Sequence, residues 1–297
     1  MQKFATILAP MRIPFLILAP VCVFLGIASA SAVTSSLSPF FIILVLLGGL
    51  AGHIGVNALN EYWDARTGLD AMTTRTPFSG GSGIWNEHPD KIHHALYVGL
   101  TAAALTVLIG LFFAFAQGPQ ILLIGIIGLV AVLAYTPWIV KQPLICLIAP
   151  GLGFGPVMVV GTTYALTGQW SATAAVASLV PFFLVSNLLL LNQFPDKTPD
   201  AKVGRRHVVI LLGRRHAAVI YTLFLALTYL TILAGVAFNL LPEMALLGLL
   251  TLVLAIPAGL IALRKSDDIQ GLHPALAMNV LINLLTPVLM GIGLLIG

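Results

Sequence analysis

Between Arg12 and Glu61 the chain carries no Asp, Glu, Lys or Arg. A bilayer's hydrocarbon core is crossed by about 20 apolar residues of helix, so this uncharged stretch holds two crossings, at residues 13–33 and 39–60. The same character recurs along the chain. Hydropathy predicts nine helical spans, at 13–33, 39–60, 93–116, 120–140, 144–166, 172–193, 216–239, 243–263 and 274–296. Of the 297 residues, 59% are hydrophobic and 8% charged, against about 25% charged in a soluble chain. Such a chain cannot hide its apolar surface in water, and in lipid its backbone must satisfy itself within each span. No β pattern competes, so residues 1–297 read as one all-α membrane domain. Lys3, Arg12 and "ASASAV" also fit a cleaved signal peptide, but 13–33 is long enough to span and more spans follow. Cys22 and Cys146 lie in apolar spans without CxxC spacing and read as packing residues.

Nine spans make a charge prediction. With that count, all 14 Lys and Arg fall on one side, which the positive-inside rule makes cytoplasmic. One span more or fewer would scatter them. Nine of the ten acids share that side, Glu243 being the exception. The net charge of +4 therefore reports orientation and not a nucleic-acid partner. It places the N-terminus and two long polar loops, 57–92 and 192–215, in the cytoplasm at a cell membrane.

Those two loops repeat each other. Asn60-Glu61-Tyr62-Trp63-Asp64 and Asn192-Gln193-Phe194-Pro195-Asp196 share the form Asn-x-aromatic-x-Asp, at the ends of the second and sixth spans. His53, Asn57, Asn60, Glu61 and Asp64 recur at steps of four and three, one face of a helix. A charge at the bilayer centre is costly, so this face must line the bundle interior or a wet cavity. Asp196 and Asp200 are also four apart, but Pro195 and Pro199 each remove a backbone donor, which predicts a broken or terminal turn there.

Clustered carboxylates and amides without cysteine describe a hard-cation site. Mg²⁺ takes oxygen ligands and is usually held by one or two carboxylates together with substrate phosphates. Arg66, Arg75, Lys202, Arg205 and Arg206 in the same loops, and Lys141 in the fourth connection on the same side, suit phosphate oxygens. With an apolar bundle beneath, the substrate expected is a lipid diphosphate. Plainer readings stand beside these. Arg205, Arg206, Arg214 and Arg215 equally set topology. Gly80 to Gly83 equally makes a flexible turn. Asp267 and Asp268 read as a solvated loop, His88, His93 and His94 as a wet loop and helix start, and Asn279 and Asn283 as helix–helix hydrogen bonds.

At these motifs the sequence resembles the UbiA superfamily of intramembrane prenyltransferases. Asn60, Glu61, Asp64 and Asp70, with Asn57 a turn earlier, are similar to its first motif. Asp196 and Asp200, preceded by Asn192, are similar to its DxxxD motif. "RTPFSGGSG" from Arg75, "YTP" from Tyr135 and "GFGPVMVVGTTYALTG" from Gly153 extend the likeness toward the 1,4-dihydroxy-2-naphthoate polyprenyltransferases of menaquinone biosynthesis. Glu61 stands where the family usually has Asp, and His207 where Thr is common. The resemblance implies nine helices around a central cavity capped by cytoplasmic loops. It implies Mg²⁺-dependent transfer of a polyprenyl group from an allylic diphosphate to an aromatic acceptor. The implied metal ligands are Asn60, Glu61, Asp64, Asp196 and Asp200, with Asp64, Asp70, Asp196 and Asp200 as the catalytic acids. Substrate contacts fall to Asn57, Arg66, Arg75, Tyr135, Lys141, Tyr164, Asn192, Lys202 and Arg205. Asp70 is the candidate for binding or deprotonating the acceptor. Tyr135 and Tyr164 are candidates for stabilising an allylic cation, with ordinary helix packing equally open. Other acceptors, such as 4-hydroxybenzoate, fit the same chemistry. A cation-coupled transporter is the rival from another class, since internal repeats and buried polar residues are also transporter features.

Overall fold

The computed structural model describes residues 2–73 and 80–297, with side chains from residue 5 onward. Among the described residues there are helices and no strands. In chain order the long elements are α1 (Gln2–Leu8), α2 (Leu18–Ser31), α3 (Pro39–Thr67), α4 (His93–Gln117), α5 (Ile121–Ala134), α6 (Pro143–Thr167), α7 (Ala172–Lys202), α8 (Val208–Ala237), α9 (Glu243–Arg264) and α10 (His273–Ile296). Seven of them, α3, α4 and α6 to α10, are long and apolar enough to cross a membrane. Residues Ala5–Phe15 and Leu18–Ser31 form a pair bent by 51° that passes the same test together, and α5 is a shorter apolar helix. The chain is a multi-pass, all-helical protein. Where hydropathy predicts nine spans, the described residues hold seven, or eight if the bent pair is one span, and the expected span 120–140 falls on the shorter α5.

The structure departs from the sequence expectation in several places. Helices α3 and α7 run on past their apolar stretches, to Thr67 and Lys202, so both acidic motifs are helical. Ser38 caps the start of α3 by accepting from Phe41 N, and Gly68, at φ 75°, ends it with the left-handed turn a glycine tolerates. Of the broken or terminal turn expected at Pro195 and Pro199, the terminal one is present: α7 runs unbroken through both and ends at Lys202. Phe194 is fully buried, and Arg214 Nε donates to the Phe194 carbonyl at 2.9 Å, which anchors this end from outside the helix. Gly213 (φ 81°, ψ 165°) divides α8 into a short piece from Val208 and a long one that starts after the break, close to the 216 expected for the seventh span. Helix α5 stops at Ala134, where Tyr135–Pro137 turns the chain; its 14 residues reach only about 21 Å.

Packing divides the bundle in two. One apolar core gathers α2, α6, α7, α8, α9 and α10 around Leu184, Leu191, Tyr221, Ile232 and Ile282. A smaller one joins α2, α3, α4 and the end of α6 around Val23, Val45, Phe113 and Leu166. Without a hydrophobic drive between helices in lipid, close approach by small residues supplies the packing. At Gly155 an added Cβ would stand 2.8 Å from Phe182 N, so α6 rests directly on the α7 backbone. Residues Gly153–Val160 of α6 widen into a π-helix containing Pro156, whose missing N–H leaves the regular ladder incomplete. Between the two cores lies a cavity of about 470 Å³.

Candidate active site

The cavity runs along α3 from Val45 to Asp64, about 28 Å at 1.5 Å per residue. Its far part is apolar and glycine-rich: Gly48, Gly49, Gly110, Phe113, Gly125, Gly128, Val157 and Met158 line it. Its near end collects Arg12, Asn57, Asn60, Asp64, Asp70, Tyr135, Asn192, Asp196, Asp200, Arg205 and His207. The two motifs therefore meet in one space, delivered by the ends of α3 and α7.

Arg205 ties the motifs together. Its guanidinium donates through Nη2 to Asp64 Oδ1 and through Nη1 to Asp200 Oδ1, the latter at 3.1 Å. His207 Nε2 holds the other Asp200 oxygen at 3.0 Å. Burial works against the Arg205 charge, but the Asp64 and Asp200 carboxylates outweigh it and raise its pKa above the ordinary arginine value. Asn60 Nδ2 donates to Thr136 Oγ1 at 3.0 Å, and Asn57 Nδ2 to the Met11 carbonyl at 3.1 Å. Asp70 sits in the short helix Leu69–Met72, buried, with Oδ2 lacking a hydrogen-bond partner. Burial first, then the nearby Glu61 and Asp64 charges, push its pKa up to about 7. Asn192 Oδ1 is likewise buried and unpartnered.

Glu61 is placed differently from the other acids. Its side chain is wholly buried. Oε1 accepts from Arg12 Nε (2.7 Å) and Ser82 N (2.8 Å), and Oε2 from Ser82 Oγ (2.6 Å) and Trp85 Nε1 (3.0 Å).

Several expected contacts are not brought to the cavity. Arg66 is exposed and turns back onto Tyr62, donating to its hydroxyl at 3.0 Å. Lys141 and Lys202 are exposed and outside the lining. Tyr164 lies at the opposite end of α4, its hydroxyl donating to Gln120 Oε1 at 2.7 Å and its ring 4.8 Å from Trp170. Arg75 lies outside the described residues. Arg12 was legible only as a topology charge. Yet a lone arginine between Pro10 and Pro14 at the head of an apolar span needs a partner and a break in the helix, and both are present.

Apart from Arg12, Arg205 and His207, the near-end side chains all carry oxygens that could serve a cation. Among the described residues no group of three or more His, Cys, Asp or Glu is arranged to hold a metal. The acids still suit a hard cation that keeps waters and shares a phosphate, since such an ion needs only one or two carboxylates. The unpartnered oxygens of Asp70 and Asn192 and the guanidinium between Asp64 and Asp200 mark a place that favours positive charge.

Residues 18–285 match the UbiA prenyltransferase family, and the chain belongs to it. It is 27% identical over 265 residues to the 1,4-dihydroxy-2-naphthoate octaprenyltransferase of Haemophilus influenzae, covering 86% of this chain and 84% of that one. It is 26% identical over 180 residues to the protein of the same name from Bacillus subtilis, covering 60% of this chain and 57% of that relative, just over half its length. A UbiA homolog from Archaeoglobus fulgidus, solved with GPP and Mg²⁺, superposes with a TM-score of 0.63 at 15% identity over 99% of both chains, a likeness of fold.

Proposed function

We propose that the protein transfers a polyprenyl group from an allylic diphosphate to an aromatic acceptor, 1,4-dihydroxy-2-naphthoate, in menaquinone biosynthesis. One observation carries the reading: Asp64 and Asp200, from motifs more than 130 residues apart, converge on Arg205 at the polar end of an apolar cavity long enough for an isoprenoid tail. The names of the two relatives support the acceptor.

In this reading the bent pair and α5 both cross, making nine spans. All Lys and Arg then lie on the cytoplasmic side of the cell membrane, where the segments after α3 and α7 cap the cavity. Asn60, Asp64, Asp196 and Asp200 would hold Mg²⁺, which would supply positive charge beside the diphosphate. Arg205 and Arg12 take up the remaining phosphate charge, with Asn57 and Asn192 beside them. The electron pair of the breaking allylic C–O bond leaves with diphosphate, the aromatic carbon attacks the allylic carbon, and the ring proton leaves. Asp70, whose raised pKa lets it exchange a proton near neutrality, binds or deprotonates the acceptor. Tyr135 and the apolar wall keep water from the cation.

A mixed pool of 1,4-dihydroxy-2-naphthoate, 4-hydroxybenzoate and homogentisate, given one prenyl diphosphate and analysed by mass spectrometry, tests the acceptor. Prenylated naphthoate as the main product is expected; a different main product overturns the assignment. A transporter would show uptake without Mg²⁺-dependent pyrophosphate release.

A further inference from the structure

The first acidic motif does two jobs, and its residues divide between them. Asn60 and Asp64 face the cavity. Glu61, outside the cavity lining, and Asn57, which also lines it, lie four apart on α3 and hold the bend in the N-terminal span. Asn57 bonds the Met11 carbonyl and Glu61 bonds the Arg12 side chain. Arg12 itself stands in the left-handed region, φ 52° and ψ 54°, between two 3₁₀ turns. A non-glycine residue there is strained and persists only where its surroundings hold it. Glu61 reaches a second segment too, through Ser82 and Trp85. Gly81, at φ 66°, packs so closely that a Cβ would stand 2.8 Å from Asp70 Oδ1 and 3.2 Å from Glu61 Oε1.

A carboxylate offers about four lone-pair sites. Arg12 Nε, Ser82 N, Ser82 Oγ and Trp85 Nε1 fill that number, and Arg12 Nη2 lies 2.7 Å from Oε1 as well. A metal ion at Glu61 would have to displace these donors from a fully buried group. We propose that Glu61 is a positioning residue and not a metal ligand. With Asn57 it latches the N-terminal bend and the Ser82–Trp85 turn to α3, and so presents Arg12 to the diphosphate. The longer arm of glutamate, where the family usually has aspartate, serves this reach.

The proposal rests on the diphosphate–metal reading of the cavity, and the test separates the two. Purified protein, wild type and the Glu61→Gln, Glu61→Asp and Asp64→Asn variants, is titrated with Mn²⁺ in the presence of inorganic pyrophosphate and followed by electron paramagnetic resonance. Hydrogen exchange is measured over residues 8–16 and 80–88, and KM is measured for each substrate. Glu61→Gln should leave Mn²⁺ affinity close to that of wild type, in contrast to Asp64→Asn. It should speed exchange in both segments and raise KM for prenyl diphosphate about tenfold with acceptor KM unchanged. Glu61→Asp should recover part of the KM. Asp64→Asn should lose Mn²⁺ without loosening the two segments. Loss of Mn²⁺ in Glu61→Gln to the same extent as in Asp64→Asn, or exchange equal to wild type, overturns the latch. Mn²⁺ binding retained by Asp64→Asn overturns the metal reading instead, and the latch is then decided by the exchange result.

Discussion

Removing Arg205 tests the electrostatic centre of the site. In Arg205→Ala, Asp64 and Asp200 stay buried and lose the cation that faces both. Taking one partner from a buried ionic group costs about 3–5 kcal/mol, because the remaining charge is left uncompensated. His207 still serves one Asp200 oxygen, which places the expectation at the lower end, about 3 kcal/mol. At about 2 °C per kcal/mol for a chain of this size, the apparent Tm in detergent should fall by about 6 °C. Divalent cation should then matter more to the variant than to the parent. Mg²⁺ with pyrophosphate should recover most of the lost Tm in Arg205→Ala, while the same addition shifts wild type less. Arg205→Lys, one charge without the fork geometry, should fall between. The assay is a thermal shift with each protein in the presence and absence of Mg²⁺ and pyrophosphate. A Tm for Arg205→Ala equal to wild type, or a loss that Mg²⁺ with pyrophosphate leaves untouched, would refute the reasoning.

Asp70 should give the pH–rate profile its acid limb. Its pKa near 7 means kcat/KM rises as the carboxylate forms, and Asp70→Asn should abolish that limb in a profile from pH 5 to 9. The sign for stability is the reverse: a carboxyl pKa raised on folding weakens the native state as pH rises from about 4 to about 7. Asp70→Asn should thus melt higher than wild type at pH 8, with the gap closing toward pH 4, as a Tm series will show. Gly110 and Gly125 line the cavity, and an added Cβ at either meets nothing within 4 Å. Gly125→Leu should fold normally yet cut kcat/KM for long prenyl diphosphates by about tenfold relative to geranyl diphosphate, measured by competing the two donors. Tyr164→Phe should leave kcat and both KM values unchanged and cost about 1 kcal/mol of stability, the net worth of its hydrogen bond to Gln120, read in the same thermal shift.

The long apolar helices were legible because their signal is long and physical: uncharged runs of span length need no tertiary knowledge. The two acidic motifs were legible for the same reason: polar residues at helical spacing inside apolar stretches carry a cost that only a shared site offsets. Which motif residue does what was not legible. Glu61 and Asp64 look alike in the sequence, and only the fold shows one saturated by Arg12, Ser82 and Trp85 while the other faces Arg205. Cations were read by loop membership, a one-dimensional criterion. Arg205 and Arg12 turn inward, whereas Arg66, Lys141 and Lys202 turn out to solvent, because side-chain direction depends on helix phase and on breaks such as those at Arg12 and Gly213. Tyr164 misled for a related reason: an aromatic in a family-like segment reads as a site residue until the length of α4 separates it from the acids. The helical run through Pro195 and Pro199 defied local propensity because a buried Phe194 and the Arg214 bond to its carbonyl outweigh two lost backbone donors.

The central claim is that acids from the two motifs jointly drive diphosphate departure toward an aromatic acceptor. Its most direct test is pyrophosphate release measured alongside prenylated product, with geranyl diphosphate and 1,4-dihydroxy-2-naphthoate, in wild type and in the Asp64→Asn and Asp196→Asn variants. The account predicts equal amounts of pyrophosphate and prenylated naphthoate from wild type, both abolished by removing Mg²⁺ and both reduced by about a hundredfold or more in either variant. Full turnover in Asp64→Asn or Asp196→Asn, or product formed at the same rate without divalent cation, would contradict it.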